Sequence, residues 1–170
     1  MMTELAILLI FPAMMAFAAA SDLFTMTISN RISLVLVAAF IALALVSGMS
    51  WQAIGMHGLA GLAVLAITFG FFACGWIGGG DAKLAAVTAL WLGWSQLLEY
   101  ALYSSLLGGL LTIGLLSLRG APMHPAFLMR EGWYAKITDA KTGIPYGIAL
   151  AAAGLLLYPT SIWMNGALPN

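Results

Sequence analysis

The stretch IGGGDAKL, residues 77–84, separates two long apolar segments and determines how often the chain crosses a membrane. The segment before it, His57–Ile77, is almost entirely hydrocarbon. The segment after it, Ala82–Leu98, is only about 17 residues long, which is the lower limit for a helix that spans a bilayer. The topology of the whole chain therefore depends on whether this second segment crosses.

The composition places the chain in a membrane. Of its 170 residues, 63% are hydrophobic and only 7% are charged, and the mean hydropathy is +1.04. A soluble domain carries roughly 25% charged residues, so this surface could not face water. A β-barrel would show short segments of alternating hydrophobicity, and the sequence has long continuous ones. We therefore predict an all-α polytopic membrane protein with one transmembrane domain, residues 1–170.

The apolar segments predict six membrane-spanning helices. The first resembles a signal peptide but lacks the positively charged start that such a peptide has, and we interpret it as a span. The six segments are Glu4–Ser21, Ile32–Gly48, His57–Ile77, Ala82–Leu98, Glu99–Leu118 and Ile144–Trp163.

The placement of the basic residues decides whether the fourth segment crosses. Lysine and arginine accumulate in cytoplasmic loops. With six spans, the odd-numbered loops share one side of the membrane and contain every basic residue of the chain. These residues are Arg31, Lys83, Arg119, Arg130, Lys136 and Lys141. Without the fourth crossing, the last four would lie opposite the first two. We therefore predict six crossings, both termini outside, and a cytoplasmic loop at about residues 119–143.

Two carboxylates differ from the others in their predicted position. Asp22 directly follows the first predicted span and Asp81 directly precedes the fourth, so both are expected at the cytoplasmic ends of helices. Ionisable groups at membrane depth cost several kcal/mol or more and usually mark function. If the helices bring the pair together, repulsion raises one pKa and the two carboxyls share a proton. One could then activate water while the other polarises a carbonyl, which is the chemistry of peptide hydrolysis.

The residue pattern leaves a second interpretation open. An aspartate at the end of a membrane helix is often only a helix cap or an interfacial residue, and Asp81 is predicted to cap the helix that follows it. The glycines Gly78, Gly79 and Gly80 are equally open to two readings. They could form a plain connector, or they could supply positive φ angles and a close approach of substrate backbone.

The sequence gives no support for a metal or a cofactor. A single cysteine, Cys74, excludes a disulfide framework and a four-cysteine zinc module, and its apolar surroundings predict a packed thiol. His57 and His124 are predicted on opposite sides of the membrane, where they could not share a metal ion. We expect neither a cofactor nor a nucleic-acid partner.

Three motifs in order resemble those of the type IV prepilin peptidase family, which are G-x-G-D intramembrane aspartyl proteases. Residues 78–81 fit the G-x-G-D signature, and the string GGGDAKLAA continues as the family's Asp-x-Lys-Leu does. Asp22 is followed by ISNR, residues 28–31, which is similar to the family's Ile-Pro-Asn-Arg segment except that Ser29 replaces proline. Residues 144–147, Ile-Pro-Tyr-Gly, resemble the segment that opens the family's last helix.

The resemblance implies a membrane-embedded aspartyl endopeptidase that removes the short leader from prepilins at the cytoplasmic face of the bacterial inner membrane. It implies that Asp22 and Asp81 are the catalytic dyad. It also implies a set of residues that support the site loops or the substrate: Gly78, Gly80, Lys83, Asn30 and Arg31. The compact chain is similar to peptidases that serve Flp (tight-adherence) pili, so a Flp-like prepilin embedded in the bilayer is the expected partner. N-methylation, the individual pilin and the oligomeric state are left open.

Two other classes of function remain as alternatives. A small secondary transporter would place its ionisable groups near the bilayer midplane, often in repeated halves with broken helices. A non-catalytic subunit of a pilus or secretion assembly would tolerate the loss of either aspartate.

Overall fold

The computed structural model describes residues 2–121 and 131–166 of the chain, and within these residues the only regular elements are helices. The α-helices are α1 (Met2–Thr25), α2 (Asn30–Val46), α3 (Trp51–Ala73), α4 (Gly79–Leu92), α5 (Leu97–Arg119), α6 (Gly132–Thr138) and α7 (Tyr146–Leu157). Short 3₁₀ turns follow α4 at Trp94–Gln96 and α7 at Tyr158–Thr160. The predicted all-α class is confirmed.

Six of these helices coincide in order with the six predicted spans, but they differ in length. By length and composition, three helices can cross a membrane: Met2–Thr25, Trp51–Ala73 and Trp94–Arg119. Helix α2 and the segment Tyr146–Thr160 are apolar but shorter. Helix α4 has 14 residues, which at 1.5 Å per residue falls well short of a hydrocarbon core of about 30 Å. The number of crossings and the side of the termini stay predictions.

Helix α1 continues beyond the predicted end of the first span, so Asp22 lies in its last turns and not after the helix. Residues 22–25 contain neither glycine nor proline, and the helix ends only where Met26 adopts a φ of 57°. The Met26 N–H donates to the Asp22 carbonyl at 2.8 Å and closes the last turn. Asp22 is therefore a helical residue, and Asp81 likewise lies inside the first turn of α4.

Ser29, the departure from the family's proline, is the N-cap of α2. Its side-chain oxygen accepts a hydrogen bond from the backbone N–H of Arg31 at 3.3 Å. A proline has no side-chain acceptor for this role, so the serine supplies a cap to the otherwise unsatisfied first turn.

Helix α4 lies in the centre of the bundle, buried along most of its length by α2, α3 and α7. Trp91 near its end is fully buried, and its indole N–H donates to the Leu36 carbonyl of α2 at 3.1 Å. The indole of Trp163 in turn donates to the Trp91 carbonyl at 2.9 Å, and Phe11 of α1 packs on the Trp91 ring. The packing of α2, α3 and α7 around α4 stabilises this short helix.

Two single-residue predictions are wrong. Cys74 is exposed rather than packed, because α3 ends at Ala73 and the chain turns away through Gly75, which has a φ of 74°. His57 does not open a helix but lies within α3, buried, with its Nδ1 2.8 Å from the Leu90 carbonyl of α4. His124 lies outside the described residues.

The connection between α5 and α7 folds back onto the bundle over its described part. Tyr134 and Ile137 of α6 are buried in a small apolar cluster with Leu115 of α5. The guanidinium of Arg119 donates to the carbonyls of Ile137 at 2.8 Å and Gly143 at 2.9 Å. Residues 131–143 are thus attached to the end of α5, while the cytoplasmic location of the loop stays a prediction and Arg130 lies outside the described residues.

Candidate active site

Asp22 lies in the last turns of α1 and faces the N-terminus of α7. Only 5% of its surface is exposed, and its Oδ2 accepts a hydrogen bond from the backbone N–H of Gly147 at 2.8 Å. The first N–H groups of a helix have no intrahelical partner and carry a partial positive charge. The start of α7 therefore gives this buried carboxylate the donor that it needs.

Gly147 fits this position because the two helices approach closely. A Cβ at Gly147 would lie 2.8 Å from Oδ2 of Asp22 and 2.5 Å from Cδ1 of Ile28, so any larger residue requires one of these side chains to move. Sequence reasoning had found residues 144–147 only by resemblance and had given Gly147 no role. The sequence feature that could have indicated Gly147 is its position directly after the Pro-Tyr pair that opens a helix, where a backbone N–H has no partner within the helix.

Asp81 lies in the first turn of α4 and is half-buried. Its Oδ2 accepts a hydrogen bond from the backbone N–H of Gly78, the N-cap residue, at 3.3 Å. Asp81 thus caps α4 from inside its first turn, whereas the sequence predicted it as the residue before the helix. Burial raises the pKa of Asp81 to about 6, the negative charge of Asp22 adds to this rise, and the hydrogen bond from Gly78 opposes it. A carboxyl with this pKa retains a protonated fraction near neutral pH.

Ile28 packs against the start of α4, which carries Asp81, and the start of α7, which faces Asp22. It contacts the start of α7 at Gly147, and a Cβ added to Gly80 would lie 3.0 Å from its Cβ and 3.3 Å from its carbonyl oxygen. The segment that follows α1 is thus in contact with both α4 and α7. Asp22 and Asp81 are consequently close enough for the charge of one to affect the pKa of the other.

In the G-x-G-D segment, glycine allows close packing and does not adopt an unusual backbone angle. Positive φ angles occur at Gly48, Gly75, Gly93 and Gly166 among the described glycines, and not at residues 78–80. The expectation of positive φ in the G-x-G-D segment is therefore wrong. Close approach is observed instead, at Gly80 against Ile28.

Three of the supporting residues meet where α2 begins. The Lys83 ammonium donates to the side-chain oxygen of Asn30 at 2.7 Å and so connects α4 to α2 two residues after Asp81. Arg31 is exposed, and its backbone N–H is the group that Ser29 caps. The contact between Asn30 and Lys83 joins the starts of α2 and α4, and a role of either residue toward substrate stays a prediction.

A cavity of about 380 Å³ opens beside Asp81 between α3 and α5. Its walls are mostly apolar, and Tyr146 of α7 contributes to them. The Tyr146 ring also packs directly over Gly108 of α5, where a Cβ would collide with it. Sequence reasoning gave Tyr146 no role, since only the fold brings it beside Asp81.

Within residues 2–121 and 131–166, no three histidine, cysteine, aspartate or glutamate side chains come together in an arrangement that could hold a metal ion. The described residues of the site supply two carboxyl groups, backbone N–H donors and an apolar cavity.

The model of the type IV leader peptidase family matches residues 9–113, more than half of the chain. The chain belongs to this family. The matched residues include both aspartates and the G-x-G-D segment, and the resemblance found in the sequence is confirmed. Neither a curated protein nor a solved structure matches the chain. Gly147 lies beyond the matched residues, so its contact with Asp22 comes from the structure alone.

Proposed function

We propose that this member of the type IV leader peptidase family is an aspartyl endopeptidase whose catalytic dyad is Asp22 and Asp81. The observation that carries the proposal is electrostatic. Asp22 faces the N-terminus of α7 and Asp81 lies in the first turn of α4, and each accepts a backbone N–H. Burial and the negative charge of Asp22 raise the pKa of Asp81. Groups perturbed by burial together with a specific charge partner cluster at active sites.

In the proposed reaction the dyad shares one proton, which we assign to Asp81, and Asp22 is the base. Asp22 takes a proton from a water molecule as the water oxygen bonds to the carbonyl carbon of the scissile peptide. Asp81 donates its proton to the carbonyl oxygen. Collapse of the tetrahedral intermediate breaks the C–N bond, the amine leaves with a proton, and the dyad again holds one proton. One water is consumed, and a carboxyl and an amine are formed.

The substrate that we propose is a prepilin of the Flp-like type, held in the bilayer and cut after its short leader. Family membership supports a prepilin substrate in general. The Lys83–Asn30 contact and the Arg119 contacts with the α5–α7 connection place cationic side chains toward the end of the bundle that contains the dyad. Under the positive-inside rule that end faces the cytoplasm. The enzyme would then be a multi-pass protein of the bacterial inner membrane with its active site on the cytoplasmic side.

Cleavage by the purified protein tests this proposal. The substrate is a prepilin-like peptide with a short basic leader that ends in glycine, followed by an apolar helix, and both proteins are held in detergent. We expect one cut at the leader junction, unaffected by a metal chelator. A peptide that stays intact under conditions in which the protein is folded would contradict the proposed function.

A further inference from the structure

A second cavity lies on the outer surface of the bundle, in the gap between α2 and α3. These two helices each pack on α4 but hardly touch each other, so a groove of about 550 Å³ opens between them. Ala86, Val87 and Leu90 of α4 form its floor. Its walls are almost entirely apolar, and Leu34 of α2 and Leu62 of α3 are more than half exposed there. The groove therefore suits hydrocarbon and not water.

The groove is separate from the cavity beside Asp81. Residues three, four or seven apart share one face of an α-helix, so Lys83 and Leu90 of the groove lie on the same face of α4. Asp81 and Ala85 line the other cavity. Two residues advance an α-helix by about 200°, which places them on the opposite face. What binds in the groove is therefore independent of the proposed cleavage reaction.

One end of the groove is positively charged. Lys83 and Asn30 line it at the starts of α4 and α2. An ammonium group has three N–H donors, and the side-chain oxygen of Asn30 accepts one of them at 2.7 Å. Among the residues that the structure describes, Lys83 forms no ion pair with a carboxylate. The groove thus combines an apolar floor with a cation whose charge no described side chain neutralises.

The dimensions of the groove are too small for a helix. From Lys83 to Leu90 the floor is about 10 Å long, at 1.5 Å per residue. A volume of about 550 Å³ then corresponds to a mean cross-section of roughly 50 Å², whereas a helix with its side chains, about 10–12 Å across, needs roughly 80–110 Å². Extended hydrocarbon chains are narrower than a helix and fit this space.

We propose that the groove binds one anionic phospholipid, with its phosphate at Lys83 and Asn30 and its acyl chains along the floor formed by α4. Charge complementarity selects the headgroup, because basic pockets between membrane helices attract anionic lipids. A second copy of this chain does not fit as the occupant, since a two-fold contact would place groove on groove and Lys83 beside Lys83. The bound lipid covers the face of α4 that α2 and α3 leave open.

Two matched pairs of variants separate the apolar part of the site from its charge. Gly58 lines the groove, and nothing lies within 4 Å of a Cβ built there. Gly70 of the same helix has equally open space but does not line the groove, so Gly58→Phe and Gly70→Phe place the same ring inside or outside it. Lys83→Gln is matched by Lys136→Gln, which removes the same charge from an exposed residue of α6.

The test counts bound lipids by native mass spectrometry of the full chain in detergent and measures its melting temperature with each probe. The probes are anionic dioleoylphosphatidylglycerol, dioleoylphosphatidylcholine, which has no net charge, and inorganic phosphate. We expect one phosphatidylglycerol per protein, bound at least about fivefold more tightly than phosphatidylcholine. Lys83→Gln should remove this preference, while Lys83→Arg and Lys136→Gln should keep it.

The groove variants test the acyl chains. Gly58→Phe should weaken the binding of both lipids at least about fivefold, and Gly70→Phe should leave both unchanged. Equal binding of the two lipids by the wild type, a preference that survives Lys83→Gln, or lipid binding that Gly58→Phe leaves intact would overturn the site. Inorganic phosphate that raises the melting temperature as much as phosphatidylglycerol does would also overturn it, because the site would then bind a free anion.

A crosslinking measurement identifies the occupant even if one of these variants fails to fold. p-Benzoylphenylalanine replaces Val37, which lines the groove, or Val35, which is exposed on α2 outside it. In vesicles with equal amounts of the two lipids, position 37 is expected to capture phosphatidylglycerol preferentially and position 35 to capture both equally. Capture of a second copy of the chain or of a prepilin-like peptide at position 37, or of both lipids equally, would contradict the proposal.

Discussion

The backbone N–H of Gly147 donates to Oδ2 of Asp22 at 2.8 Å and joins the start of α7 to the end of α1 across 125 residues. The bond gives a buried carboxylate a donor at the positive end of a helix. The two helices also approach closely at this point, since a Cβ at Gly147 would lie 2.8 Å from Oδ2 of Asp22.

We expect Gly147→Ala to lower both stability and activity. The added methyl group would have to displace Asp22 or Ile28, and overpacking of this kind costs about 1–3 kcal/mol. Thermal unfolding in detergent and the rate of leader cleavage measure the two effects. Gly109→Ala is the control, since nothing lies within 4 Å of a Cβ there. Equal behaviour of the two variants would show that the α1–α7 approach is not needed.

The two glycines before Asp81 are expected to differ. Both are helical, so alanine gains up to about 1 kcal/mol of helix propensity at either position. At Gly79 the new Cβ would lie 3.3 Å from the end of the Phe72 ring, which can move, and the variant should remain active. At Gly80 it would lie 3.0 Å from Cβ of Ile28, close to that residue's backbone, and the strain should exceed the gain and slow cleavage several-fold. The comparison requires equal membrane expression of the two variants. Equal activity of Gly79→Ala and Gly80→Ala would show that the glycines form only a connector.

The pH dependence of the reaction follows from the raised pKa of Asp81, about 6. If Asp81 donates the shared proton, kcat/KM should fall about tenfold per pH unit above the pKa of the free enzyme. A profile of kcat/KM between about pH 5 and about pH 9 measures this fall. The control variant Glu99→Gln changes an exposed carboxylate of α5 and should show the same fall. A kcat/KM that stays constant up to the highest pH of the profile would show that Asp81 is not the acid.

Stability should change with pH in the same window. The folded pKa of Asp81 lies above its ordinary value of 3.8, so the folded protein keeps a proton that the unfolded chain releases. Stability is therefore lost as pH rises from about 4 to about 6. Asp81→Asn lacks this loss, so its melting temperature relative to the wild type should rise across that interval. An unchanged difference in melting temperature would show that Asp81 titrates normally.

The orientation of the bundle can be tested with cysteine labelling. Native Cys74 is exposed at the end of α3, on the predicted cytoplasmic side, and an impermeant thiol reagent should reach it only in inside-out vesicles. Trp51→Cys, made in a Cys74→Ala background, places a thiol at the other end of α3, where the side chain is 78% exposed. It should react only in right-side-out cells. The reverse pattern would invert the topology and contradict the positive-inside argument.

Hydropathy and local motifs predicted six of the seven described α-helices in order, but not α6 and not all of the helix ends. Apolar length predicts where a helix runs, whereas the end of α1 is set by Met26, which has no sequence signal of a helix stop. Motif resemblance selected Asp22 and Asp81, while the partners that surround them depend on contacts between distant segments. Gly147, Ile28 and Tyr146 owe their positions to the packing of α7 between α1 and α5, and a single sequence contains no local pattern for that arrangement.

Replacing each aspartate by asparagine in the leader-cleavage assay tests the dyad most directly. Asparagine keeps the size of the side chain and an oxygen that can accept from Gly147 or Gly78, but it supplies neither base nor acid. We expect the wild type and Glu99→Gln to cut the leader at similar rates, and Asp22→Asn and Asp81→Asn each to lose at least about 10²-fold. Near-wild-type cleavage by either asparagine variant, at equal amounts of folded protein, would contradict a catalytic dyad of Asp22 and Asp81.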